Sequence, residues 1–340
     1  MTDTKTTAAA PVAVSAIDRR GSALRTGLML LSRYGTLVGL AAMIAIFTIR
    51  APSIFFNVTN FTNILQQGSL TAIIAAGLTM TLVVGEFDLS IGYAASFAGV
   101  LVVGFMALQG MPETVAIVLM LLVGMTIGTV NGIFVTKVRI NAVIATLGVG
   151  TILVGLSFAY SPFPIVVGIP PTFSDLALAR PILGIPNSIL VMVVVLAILW
   201  VVLNKTNLGY KMQAVGGNIE AARLSGVNVD RVKIFAFATA GTCAALTGIL
   251  LSSLLGSGTS AAADGYLLDA FAAVFLGSAT LRDGEFHILG TFVGVLIIAV
   301  GFNGLSIFGA PSWAQQVFNG GILIFAVGLS TLSRRFATPD

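Results

Sequence analysis

A single cysteine, Cys243, excludes any disulfide within the chain, and its place inside an apolar run reads as simple packing. A single histidine, His287, excludes HExxH and every multi-histidine metal site. At the end of an apolar run it reads as an interfacial residue rather than a proton relay. No Gly-Lys dipeptide occurs, so a GxxxxGK[ST] phosphate cradle is excluded and any ATP used must be held by another chain. Charge is scarce as well. Only 9% of the 340 residues are Asp, Glu, Lys or Arg, against 57% hydrophobic residues and a mean hydropathy of +1.03. A water-soluble domain carries roughly a quarter charged residues, so that class is excluded and the chain reads as a polytopic membrane protein.

Lipid offers no hydrogen-bond partners, so a spanning backbone must be helical or a closed barrel. Barrel strands alternate in polarity, whereas Ser188–Leu203, SILVMVVVLAILWVVL, does not alternate. The fold class is therefore all-α. A helical span takes about 20 apolar residues, and apolar runs lie at 27–48, 62–84, 89–108, 114–135, 142–160, 187–203, 233–256, 267–280, 287–303 and 313–332. That makes about ten transmembrane helices. The eighth run is short and carries Asp269, which suits a tilted, broken or re-entrant segment.

Placing the N-terminus inside leaves only Arg50 and Arg180 outside, so 15 of the 17 basic residues lie on one side. Both termini are expected in the cytoplasm. Residues 1–26 are polar and basic, lack the apolar core of a signal peptide and read as a disordered cytoplasmic tail. Residues 27–333 read as one membrane domain, followed by a short cytoplasmic tail at 334–340. The segment Val83–Ser90, VVGEFDLS, reads as a tight cytoplasmic turn with Asp88 capping the next helix; an unwound segment at membrane depth is the other reading. Small-xxx-small spacing at Gly35 and Gly39, at Gly124, Gly128 and Gly132, and at Gly290 and Gly294 suits close helix crossings. Six of the 11 prolines fall within Ser161–Pro186, which reads as an extended outer connection with one short helix.

Ion-coupled carriers keep ionisable groups near the bilayer midplane, but Glu86, Asp88, Asp264 and Asp269 all lie near run ends. This weighs against a self-sufficient secondary carrier or channel for a small polar solute, which stays as the alternative reading. Gln66, Gln67, Ser69, Asn131 and Asn303 are polar residues within apolar runs. They are candidates for lining a wet path or for bonding between helices.

Five Lys or Arg residues fall within 204–233, a stretch too polar to span and too long for a tight turn. Asn218 reads as an N-cap, Glu220–Leu224 as a short helix and Gly226 as its stop, with Gly216 and Gly217 permitting a sharp re-entry. A short helix presented this way suits docking into a groove on a soluble partner; a solvated loop is the other reading.

The segment AVGGNIEAARLSGVNVDRVK closely resembles the cytoplasmic signature of permease subunits of bacterial ATP-binding-cassette (ABC) importers, in the branch serving ribose, xylose, galactose and related solutes. Further resemblances follow in order. GEFDLSIG at Gly85–Gly92 is similar to GGIDLSVG, and GTVNGIFV at Gly128–Val135, AVIATLG at Ala142–Gly148 and DGYLLDAFAAVFLG at Asp264–Gly277 have counterparts. Together they cover about residues 36–332. Glu86 stands where the first motif has Gly or an apolar residue, and Asp283, Glu285 and Phe286 depart from a later one.

The resemblance implies an ABC importer permease fold in the bacterial inner (cytoplasmic) membrane, with no enzymatic activity of its own and no cofactor bound by this chain. It implies three partners: a cytoplasmic ATPase subunit holding ATP and Mg, a second permease subunit in a homo- or heterodimer, and an extracytoplasmic solute-binding protein. Within a coupling loop at 204–232, Gly216, Gly217, Asn218, Glu220, Ala221, Ala222, Arg223, Leu224, Ser225 and Gly226 would form the ATPase-docking element. Gly85, Asp88, Ser90, Gly92 and Asp269 are the family-motif positions at span ends. No nucleic-acid partner is expected.

Overall fold

In the computed structural model, residues 34–278 and 284–337 are described, and among them all named elements are helical. In chain order these are α1 (Tyr34–Arg50), α2 (Pro52–Phe55), α3 (Val58–Val83), α4 (Ile91–Ala107), α5 (Glu113–Ile133), α6 (Ala142–Tyr160), α7 (Pro171–Leu178), α8 (Asn187–Lys205), α9 (Asn207–Gly217), α10 (Ile219–Leu224), α11 (Val229–Leu255), α12 (Tyr266–Ser278), α13 (Ile288–Ile307) and α14 (Ser312–Ala337). A π-helical turn, Phe134–Val138, prolongs α5. Each expected apolar run lies on a helix, residues 27–33 and 279–280 falling outside the described part.

Among the described residues, five helices are long and apolar enough to cross a membrane: α5 with its π-helical extension, α6, α8, α11 and α13. The helices α1, α4 and α12 are apolar but shorter. With 13 residues, α12 rises only about 20 Å, short of a hydrocarbon core of about 30 Å. The 26 residues of α3 rise about 39 Å, and Gly68–Val83 is buried throughout. Its small, all-round apolar surface suits a helix enclosed by others.

Around α3 stand α11, α13, α12 and α8, while α11 also packs along α5, α4 and α7. The apolar windows of α11 and α13 are 67% and 61% buried, those of α5 and α8 only 28%, so the last two present wide apolar faces at the periphery. That contrast is what a bundle solvated by hydrocarbon requires.

Two of the three glycine series sit at crossings. A Cβ on Gly128 would lie 2.0 Å from the Phe237 carbonyl oxygen and one on Gly294 2.0 Å from that of Ala273, whereas nothing lies within 4 Å at Gly39. The expected crossing at Gly35 and Gly39 is thus not seen at Gly39. Polar groups inside the bundle bond either within their helix, as Thr79 and Thr247 do to the carbonyls four residues back, or across it. Thr79 meets Thr291 at 2.7 Å, and Asn60 and Asn303 exchange two hydrogen bonds of 3.0 and 2.8 Å. A double-mutant cycle of Asn60→Ala and Asn303→Ala, read by thermal unfolding in lipid, should give a coupling of about 0.6 kcal/mol and at most about 1.7.

The proline-rich connection contains one short helix, α7, pinned to α11 by Ser253. That hydroxyl donates to the Phe173 carbonyl at 2.6 Å and accepts from Ala177 N–H at 3.1 Å.

Candidate functional site

Residues 204–233 fold into more helix than the sequence alone suggests. The chain leaves α8 at Lys205, and Thr206 Oγ1 accepts from Gly209 N–H at 3.2 Å to start α9, which was expected as loop. Burial of Met212 and Val215 on one face stabilises α9, an amphipathic signal too short to stand out among charged neighbours. Asn218, with extended backbone, accepts from Ala221 N–H at 2.9 Å and opens α10. Gly226 closes it at φ +80, in the left-handed region where glycine is at ease. Asn228 then caps α11 through Arg231 N–H at 3.1 Å.

The sharp corner comes at Gly217–Asn218, because Gly216 lies within α9. Gly216 serves a close approach instead, since a Cβ there would lie 1.9 Å from the Val83 carbonyl oxygen, while nothing lies within 4 Å at Gly217. Of α10, Ala222 is buried and roots the helix. Glu220, Ala221, Arg223 and Leu224 face outward, with Leu224 89% exposed, and Ser225 and Gly226 are exposed beyond them. Arg223 and Glu220 pair at 3.0 Å on this outer surface. A cleft of about 620 Å³ lies beside α10, lined by Thr136, Arg139, Arg223, Asp230 and Lys233 among others. Three cations and one carboxylate line it, and most of these charges are paired: Arg223 with Glu220, Lys233 with Glu86, and Asp230 with Lys137 at 2.6 Å.

The turn between α3 and α4 lies at the same end of the bundle. Gly85 adopts φ +81, which a side chain would strain. Asp88 is buried, and its Oδ1 accepts from Ser90 N–H at 2.9 Å and from Ser90 Oγ at 2.6 Å. Burial pushes the Asp88 carboxyl up to about 6, against the pull of the Ser90 hydrogen bonds. Asp88 therefore caps the turn and not α4 itself, where Ser90 occupies the capping position in helical backbone. Asn131 Nδ2 donates to Ser90 Oγ at 2.8 Å, and Leu89 N–H donates to Thr146 Oγ1 at 3.0 Å, joining the turn to α5 and α6. A Cβ on Gly92 would meet the Asp264 carbonyl oxygen at 3.0 Å. Glu86 meets Lys233 of α11 at 2.5 Å, both side chains less than a fifth exposed. Asp269 lies apart from this cluster, on α12, and accepts from Asn319 of α14.

The five polar candidates do not converge. Ser69 is buried and donates to the Gln66 carbonyl at 2.6 Å, Asn131 is buried against Ser90, and Asn303 is paired with Asn60. Gln66 is half-buried and Gln67 exposed. Of the motif departures, Asp283 lies outside the described residues, while Phe286 packs edge-on against Phe275 at 5.5 Å. Sequence reasoning missed Lys233 as the partner of Glu86, Asn60 as that of Asn303 and Asn319 as that of Asp269. The smallest of these separations is 50 residues, and no local spacing signals them.

Residues 60–327 match the family model described as branched-chain amino acid transport system / permease component. The ribose import permease of Escherichia coli K12 is 36% identical over 296 residues, covering 86% of this chain and 91% of that protein. The ribose import permease of Bacillus subtilis 168 is 37% identical over 298 residues, covering 87% and 92%. The xylose transport system permease of Haemophilus influenzae Rd is 30% identical over 367 residues, covering 89% and 96%. No solved structure matches the chain. Carrying this likeness along nearly its whole length, on a bundle of membrane-crossing helices, the chain is a multi-pass integral membrane protein with a transport role and belongs to the permease family of ABC sugar importers.

Proposed function

We propose that this chain is the membrane-spanning subunit of an ATP-driven importer in the bacterial inner membrane, moving a small sugar handed over by an extracytoplasmic binding protein. The end of the bundle bearing α9 and α10 faces the cytoplasm, as do both termini, in line with the basic residues gathered there. Two permease subunits enclose the path, with Gln66 and Gln67 of α3 on its wall. A separate ATPase subunit holds ATP and Mg, and this chain supplies no nucleotide site.

The observation that carries this reading is α10 itself: a capped helix, anchored by buried Ala222, that leaves Leu224 and Ala221 uncovered beside a cleft whose lining includes Arg139 and the Arg223 of the Arg223–Glu220 pair. An exposed leucine flanked by an ion pair suits a groove that is apolar at its floor and acidic at its rim. Residues 216–226 form the docking element. Closure of the ATPase dimer moves it, and the packed helices respond by exchanging outward for inward access, since a rigidly rooted helix can bias two arrangements of a bundle.

The test is reconstitution with the ATPase and binding-protein subunits in proteoliposomes, presented with a labelled panel of D-ribose, D-xylose and D-allose. Uptake should require all three components and ATP. Leu224→Glu, which adds a charge at the centre of the docking face, should weaken ATPase binding by about tenfold or more and leave insertion and helix content unchanged. Sugar accumulation by the lone chain without nucleotide would establish the carrier reading in its place.

A further inference from the structure

The turn between α3 and α4 lies beneath the docking element and touches helices from every side. The carbonyl of Val83, where the turn begins, abuts Gly216 of α9. Glu86 reaches Lys233 of α11, the Leu89 N–H reaches Thr146 of α6, and Ser90 is held by Asn131 of α5. Phe87 stacks on Phe271 of α12 at 6.1 Å. One short segment without a helical hydrogen-bond ladder thus joins four helices, with α9 seated against the last residue of α3 just before it, and it runs directly into α4. Its own shape is fixed from within by Asp88, which closes on Ser90, so it transmits displacement without absorbing it.

We infer that Val84–Ser90 is the relay between the docking element and the membrane helices, with Glu86 and Lys233 as positioning residues whose ion pair keeps it seated. This rests on the functional reading above. Four of the five contacts are neutral packing or neutral hydrogen bonds. The Glu86–Lys233 pair is the charged one, with side chains only 17% and 13% exposed. Solvent screens a pair so enclosed only weakly, and removal of either partner leaves an uncompensated charge. Lys233 lies in the second turn of α11, nine residues past the end of α10, so the pair ties the relay to the helix that directly follows the docking element.

The experiment uses the complete transporter in proteoliposomes and the panel sugar that the wild type accumulates, and measures uptake and ATP hydrolysis together. Glu86→Gln should cut sugar moved per ATP hydrolysed by about tenfold, with the ATPase subunit still co-purifying, and Lys233→Met should cut the same ratio by a similar factor. The exchange Glu86→Lys with Lys233→Glu should bring the ratio back to within about threefold of wild type, as expected when coupling and not mere packing was lost. As a second route, Glu86→Cys with Lys233→Cys, in a Cys243→Ala background, should be uncoupled when reduced and recover when a short reversible cross-linker restores the tie. Wild-type ratios in the single variants, or no recovery in both the exchanged and the cross-linked proteins, would overturn the relay. Loss of ATPase co-purification in the wild type would instead remove the functional reading beneath it, and the co-purification arm reports that separately.

Discussion

Gly128→Leu should prevent the bundle from assembling. At this crossing the backbones of α5 and α11 touch: a Cβ on Gly124 would lie 2.5 Å from the Gly241 carbonyl oxygen, one on Gly241 2.2 Å from that of Gly124, and one on Gly132 2.8 Å from Ile234 Cα. The Phe237 carbonyl oxygen blocks position 128 itself at 2.0 Å. None of the opposing atoms is the flexible end of a side chain, so the helices must separate. Separation exposes no useful apolar surface in lipid and forfeits the dispersion contacts that drive association there. Overpacking typically costs about 1–3 kcal/mol, and with backbone opposing backbone at three successive glycines the expected loss is at or above the top of that range, about 3 kcal/mol or more. Thermal unfolding in detergent and the yield of monodisperse protein measure it. Gly155→Ala on α6 is the control. Nothing lies within 4 Å of that position, so it should be neutral or stabilising by up to about 1 kcal/mol through helix propensity. Equal behaviour of the two variants would show that α5 and α11 do not cross at Gly128.

The second large effect falls on transport. Gly216→Val should leave the bundle inserted and nearly abolish uptake, because its Cβ would lie 1.9 Å from the Val83 carbonyl oxygen and would drive α9 off the end of α3. Local overpacking costs about 1–3 kcal/mol, a small part of the stability of a chain this size. The same displacement tilts α10 away from its seat, and a coupling of that magnitude corresponds to a fall of up to about 100-fold in ATP-driven uptake. Gly217→Ala, one residue on, meets nothing within 4 Å and should keep α9 and α10 in place. Wild-type uptake by Gly216→Val would show that α9 need not seat against α3 for transport.

The contrast between these neighbouring glycines marks the limit of local reading. Gly216 and Gly217 are equivalent in sequence, two small residues before an N-cap, and both read as permitting the corner. Only the approach of Val83, more than 130 positions earlier, gives Gly216 a separate duty. In the same way Asp88 reads as a helix cap, and the turn closes upon itself before the helix begins. The polar residues placed on a possible wet path were chosen because apolar surroundings make them expensive. The structure shows how far three of them meet that cost: Ser69 bonds to its own helix, Asn303 pairs with Asn60 of α3, and Asn131 donates to Ser90 of the turn while its Oδ1 has no protein partner.

The order of residues alone settled the helical class, the places of the apolar runs, the cap at Asn218, the stop at Gly226 and the short helix inside the proline-rich connection. Each depends on groups within about four residues of one another, since helix hydrogen bonds, caps and hydropathy all act over one or two turns. Tertiary structure alone decided which glycine series lie at crossings, which helices form the centre and which meet lipid, and that Glu86 closes on Lys233 across 147 residues. Those choices depend on how whole surfaces fit. A glycine marks where two backbones can touch, and an enclosed carboxylate marks where a hydrogen-bond donor is needed, but the partner is fixed only when the helices between them have packed.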